Sequence, residues 1–186
     1  MTARRARQAI PRLIHMGYLD QVTGVASPVG YVGLTERCYR EARDWFEQGL
    51  LAARRLHDPM REAGLRTNLG LAQLFLDETQ AAQTSFVDAL RLVRKRDPDA
   101  PFVPKCLLGL AVVAGRVGDR NRSARLAATA EAQLRPGNAT AEDVVWRRLR
   151  RLLPEVASDR EGWHVSDHAG AALDPRAAID TALATN

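Results

Sequence analysis

Lysine is nearly missing from this chain. Only Lys95 and Lys105 occur, against 25 arginines in 186 residues. A net charge of +5 would ordinarily suggest a polyanion-binding surface. Here the arginine and alanine bias is what a GC-rich genome writes everywhere, and carboxylates are interleaved with the cations. Aromatic residues are also scarce, at 5%. The core must therefore be built from Leu, Ala and Val, and long β-branched runs are absent, which points to an all-α fold.

Other absences exclude whole classes. There are two cysteines, Cys38 and Cys106, and no CxxC, so neither a disulfide framework nor a zinc ribbon is expected. Both are expected as reduced thiols buried in helices. No stretch approaches the ~18 apolar residues of a membrane span. No apolar run follows the Arg-rich start, so no secretory signal is read and a cytoplasmic setting is expected. There is no Gly-x-Ser-x-Gly, no HExxH and no phosphate loop. His164 and His168 would share one helix face, but no third ligand is patterned nearby and glycines flank the segment. The expectation is a protein without catalysis, metal or cofactor.

What the chain does contain is a repeat. Val29-Gly30, Leu69-Gly70 and Leu108-Gly109 recur at spacings of 40 and 39 residues. Ala82, Phe86 and Ala89 follow Gly70, and Ala42, Phe46 and Gly49 follow Gly30 at the same offsets. In the third unit Ala124 and Ala128 come three residues late, and Glu131 stands where a small residue is expected. Periods of this length mark stacked helix pairs. Apolar residues at 3–4 spacing place helices over about 36–57, up to Leu76, and from about 80 to Val93. Asp58 is read as an N-cap before Pro59. Further helices are expected over about 105–116, 120–134, through Leu153 and over 175–184.

The unit over residues 60–96 resembles the tetratricopeptide repeat, with Leu69-Gly70 in its first helix and Ala82, Phe86 and Ala89 in its second. The runs Leu107-Leu108-Gly109-Leu110-Ala111, Gly118-Asp119 and Gly170 to Leu183 look like the C-terminal end of large actinobacterial regulators of the LuxR and SARP kind. That likeness spans roughly 36–186. It implies a helix-pair superhelix over 36–157, a tail over 158–186 with one short helix, and a role in binding a protein or peptide within transcriptional regulation or signalling. The ATPase of such regulators is not present, so a C-terminal fragment of a larger regulator is an alternative. The first helix of each pair would line the concave face. This makes Arg66, Thr67, Asn68, Leu71 and Phe75 candidate partner-binding residues, with Val103, Cys106, Leu107 and Leu110 in the next pair. Asn68 is the sharpest of them, since an amide offers donor and acceptor together to a peptide backbone.

Residues 1–35 admit two readings. They begin the repeat array, or they are the back half of a winged-helix domain. On the second, favoured reading, Arg7 to Met16 is a recognition helix and Tyr18 to Val22 a strand. Gly24 to Gly30 is then the wing, and Tyr31 to Thr35 the return strand, resembling MarR-type regulators. Gly24, Ser27, Pro28 and Gly30 suit a wing better than a helix. Arg4, Arg5, Arg7 and Arg12 would then meet DNA, and Val29-Gly30 would be the coincidental member of the repeat. Such a domain normally has helices ahead of its recognition helix, which implies a remnant or a start further upstream.

Overall fold

One kind of turn spaces the helices. Gly17, Arg37, His57 and Asp77 all have positive φ (84°, 65°, 53° and 62°), twenty residues apart, and Gly118 repeats the device at 88°. In each the next N–H reaches back across the helix end. Cys38 donates to the Gly33 carbonyl at 2.8 Å, Glu78 to Gln73 at 2.9 Å and Asp119 to Ala114 at 2.9 Å. This closure satisfies helix-terminal carbonyls and reverses the chain in three residues. Arg37, His57 and Asp77 adopt it without being glycine, at a cost on the order of 1 kcal/mol each.

The structure is a computed structural model and describes residues 10–133, 144–153 and 174–184. Among the described residues every regular element is a helix. Residues 10–15 form α1. Then come α2 (Leu19–Thr35), α3 (Tyr39–Arg55), α4 (Pro59–Phe75), α5 (Thr79–Val93), α6 (Val103–Arg116), α7 (Arg120–Ala132), α8 (Val144–Arg150) and α9 (Pro175–Leu183). Helices α2–α3, α4–α5 and α6–α7 are antiparallel pairs stacked in order. The three first helices therefore run the same way and share one face. Asp58 caps α4 as its sequence position suggests, accepting from the Met60 and Arg61 amides at 3.1 and 3.0 Å.

The wing does not form. Apart from Tyr18, which precedes the helix as its N-cap residue, the residues assigned to strand, wing and return strand lie in the continuous helix α2, with Pro28 inside it. Gly30, read as a turn former, serves packing instead, as does Gly33 of the expected return strand. A methyl group on Gly30 would collide with the Phe46 ring, and one on Gly33 would stand 3.1 Å from the Ala42 methyl. Val29-Gly30 is therefore a true member of the repeat and α2–α3 its first pair. Burial of Ile10, Ile14, Val22, Ala26, Trp45 and Ala52 against one another closes this end of the stack.

The third pair keeps the register with a different spacing. Counted from each helix start, Ala42, Ala82 and Ser123 are equivalent, as are Phe46, Phe86 and Ala127, and Gly49, Ala89 and Ala130. All nine are buried. From its glycine, α6 runs two residues further than α2 or α4 before the turn. That shift is what disguises Ser123, Ala127 and Ala130 in the sequence, where Ala124, Ala128 and Glu131 were the expected set.

Two glycines of α2 separate packing from propensity. Gly30 faces the Phe46 ring, whereas nothing lies within 4 Å of a methyl placed on Gly24. Gly30→Ala is expected to lower the unfolding free energy by about 1–3 kcal/mol through overpacking. Gly24→Ala is expected to raise it by up to about 1 kcal/mol through helix propensity. Urea unfolding of the two variants checks both, and effects of equal sign would contradict the close-approach role.

Candidate functional site

The shared face of α2, α4 and α6 is hollow over the N-terminal halves of these helices. A groove of about 530 Å³ opens there. Helix α2 contributes Asp20, Thr23, Gly24 and Ser27; α4 contributes Arg61, Gly64, Leu65 and Asn68; Pro101, Phe102 and Lys105 form the third wall. The space exists because two helices present no side chain there. Gly24 has open space beside it, and a methyl on Gly64 would only reach ordinary contact with Phe102, at 3.7 Å.

Charges of both signs rim the groove. At one end Arg61 is hydrogen-bonded to the Asp20 carboxylate and, at 3.1 Å, to the Thr23 hydroxyl. This ties the start of α4 to α2. At the other end Lys105 reaches across from α6 and donates to the Tyr31 hydroxyl at 2.8 Å. Its ammonium also stands 4.7 Å from the Tyr31 ring centroid. Burial pushes the Lys105 amine down to about 8 from the ordinary 10.5. Charge removed from water is costly, and that cost favours the neutral amine.

Of the partner-binding residues expected from the sequence, Asn68 alone lines this groove. The others have structural employment. Arg66 binds Glu62 at 3.0 Å and Asp88 at 2.8 Å, linking α4 to α5 away from the groove. Thr67 is buried; its hydroxyl donates to the Ala63 carbonyl at 2.9 Å and lies 3.0 Å from the Cys106 sulfur. Leu71, Val103, Leu107 and Leu110 are core. Phe75 is half-buried at the far end of α4, stacked on Tyr39 with centroids 4.9 Å apart. Cys106 is buried as expected, and burial pushes its thiol up to about 12. Cys38 is not buried: it is exposed in the turn ahead of α3.

Of the expected DNA-contacting arginines, Arg12 is exposed on α1. Arg4, Arg5 and Arg7 lie outside the described residues, as do His164 and His168. Among the described residues no cluster of three metal-ligating side chains occurs and no helix is long and apolar enough to cross a membrane.

Sequence reasoning missed the α2 wall and Lys105. The signal was present: Asp20, Thr23, Gly24, Ser27 and Tyr31 follow the helical 3–4 spacing, a small and polar stripe opposite Val22 and Ala26. A strand-and-wing assignment broke up that stripe. Lys105 stood out as one of only two lysines, in a chain that otherwise writes arginine.

Lys105 makes stability depend on pH. Its folded-state value lies below the unfolded one, so the unfolded chain binds more protons between about 8 and 10.5. Stability from this group therefore rises with pH across that window and is lost as pH falls through it. Urea unfolding of wild type and Lys105→Met at several pH values isolates this contribution from that of Cys106, whose raised value acts in the opposite sense above about 9. The wild-type-minus-Lys105→Met difference should climb with pH, and a flat difference would contradict the assignment. A thiol reagent is expected to label Cys38 in the folded protein and Cys106 only after unfolding; equal labelling rates before denaturant would overturn the burial of Cys106. Comparison of the chain with protein-family models, with curated proteins and with solved structures found no match.

Proposed function

We propose that this is a non-catalytic, tetratricopeptide-like helical-repeat protein that binds a peptide or protein segment along the shared face of its first helices. The observation that carries this is the groove of about 530 Å³ with Asn68 on its wall. Repeat arrays present extended concave surfaces of this type. The groove is lined for polymer recognition more than for chemistry. Asn68 can pair with a backbone amide and carbonyl together. Phe102 and Leu65 offer apolar surface, and Asp20, Arg61 and Lys105 set charge at the rim. Gly24 and Gly64 leave room for a main chain to approach.

What supports a setting in transcriptional regulation or signalling in the cytoplasm is the sequence resemblance of 36–186 to the C-terminal region of LuxR- and SARP-type regulators; what supports peptide binding is the groove.

Two variants test the groove without opening the core. Gly24→Leu adds a side chain where open space exists, and Asn68→Ala removes the amide from the wall. A displayed library of random peptides is panned on wild-type protein, and enriched clones are measured against both variants. Loss of about tenfold or more in affinity, near 1.4 kcal/mol, is expected for each variant with no loss of thermal stability. Clones that bind all three proteins alike would place recognition elsewhere and overturn the proposal.

A further inference from the structure

The C-terminal half of the same face is filled by the chain itself. Helix α8 packs against α6 and also against α2. It thus bridges the third helix pair and the first. A helix that merely extended the stack would not reach the first pair. Its Val145, Trp146 and Leu149 are buried in the main core.

Arg148 makes the contact specific. One terminal nitrogen donates to the Leu34 carbonyl at 2.7 Å and to the Tyr39 hydroxyl at 3.0 Å; the other donates to the Thr35 carbonyl at 3.3 Å. Leu34 and Thr35 are the last residues of α2, where carbonyls lack helical partners and the dipole is negative. The guanidinium carbon also lies 5.8 Å from the ring centroids of both Tyr39 and Phe75. These rings come from two helix pairs and stack on each other with an interplanar angle of 28°. Two carbonyls and a hydroxyl around the guanidinium edge, with stacked aromatics beside it, suit a planar cation with several fixed donors. A lysine ammonium, compact and strongly hydrated, would satisfy fewer of them at once.

We infer that Leu34, Thr35, Tyr39 and Phe75 form an arginine-binding socket, that α8 fills it in cis, and that the partner recognised on this face is an arginine-bearing amphipathic helix that displaces α8. The partner's required chemistry is read from the occupant: apolar side chains at the positions of Val145, Trp146 and Leu149, with a guanidinium at the position of Arg148. The naming of a partner rests on the proposal that this face binds peptides; the socket does not. Asn68 lies in the other half of the face, so the two ideas fail separately.

The probe is a labelled peptide of residues 144–153, followed by fluorescence anisotropy on the full chain. The Trp146→Ala/Arg148→Ala double variant loosens α8 and is expected to bind the peptide at least about tenfold more tightly than wild type, in which the tethered helix competes. Arg148→Lys in the peptide is expected to weaken binding by about tenfold or more. Arg147→Lys, on the exposed side, and Asn68→Ala in the protein are expected to leave it unchanged. Equal binding by wild type and double variant, or no difference between the two lysine peptides, overturns the socket. Circular dichroism checks that the double variant folds. If it does not, amide exchange in single variants of the full chain decides. Residues 144–150 should then exchange at least about tenfold faster in Arg148→Lys than in Arg147→Lys, and equal rates overturn the inference.

Discussion

The approach of aromatic ring to bare backbone is the constraint on which the stack depends. Phe86 is fully buried. A methyl group on Gly70 would stand 2.7 Å from its ring, and one on Gly109 would overlap it. One side chain of α5 therefore fills space that two first helices, α4 and α6, leave by lacking a Cβ. Burying such a ring contributes about 2–3 kcal/mol, and a helix crossing this close requires small residues at the contact. Phe46 does the same against Gly30. The third pair has Ala127 at the equivalent place, and Phe86 serves both of its neighbours.

The turns then translate that packing into a surface. Because the reversal inside each pair takes three residues, α2, α4 and α6 stand side by side and parallel; the longer α5–α6 connection (94–102) brings Pro101 and Phe102 to the groove wall. Ion pairs secure the turns from outside: Arg43 meets Glu78 at 2.7 Å and Arg116 meets Asp77 at 2.9 Å. Pairs this exposed contribute little each. Their effect is to fix angle and register between neighbours that the Phe–Gly contacts already hold together. Asp77 also shows why a non-glycine can occupy a left-handed position: its side chain gains a partner that glycine would lack.

Helices and pairs were legible in the sequence because apolar spacing and turn chemistry are local. Asp58-Pro59 and Gly118-Asp119 could be read from a few residues. The expected wing failed for a non-local reason. Gly24, Ser27, Pro28 and Gly30 are poor helix formers, and their propensity argued against a helix. Packing against Phe46 outweighs that propensity and turns Gly30 into a contact, while Gly24 borders the open groove. The register of the third pair failed because Gly109 was used as the origin, whereas the turn at Gly118 is the true one. The candidate site was legible only at Asn68. Distinguishing Asn68 from Arg66 and Thr67 requires knowing how far α4 is rotated, and Asp88 and Cys106, which claim those two, lie 22 and 39 residues away.

The same face thus carries two chemistries at opposite ends of three parallel helices. At their N-terminal halves it is open, and its floor is partly bare backbone. At their C-terminal ends it is covered by α8, whose Arg148 donates to the last two carbonyls of α2. Between them Lys105 and Tyr31 join the first and third pairs. A segment entering the groove would therefore meet that bridge before it met α8. The bridge holds α2 and α6 together across α4, so any ligand long enough to span both halves must work against the Lys105–Tyr31 contact. The Arg148 socket holds α8 through three hydrogen bonds and two ring faces. On the proposed reading, the open half is where a partner would gain its first contacts, and the covered half is where its affinity would depend on matching the guanidinium.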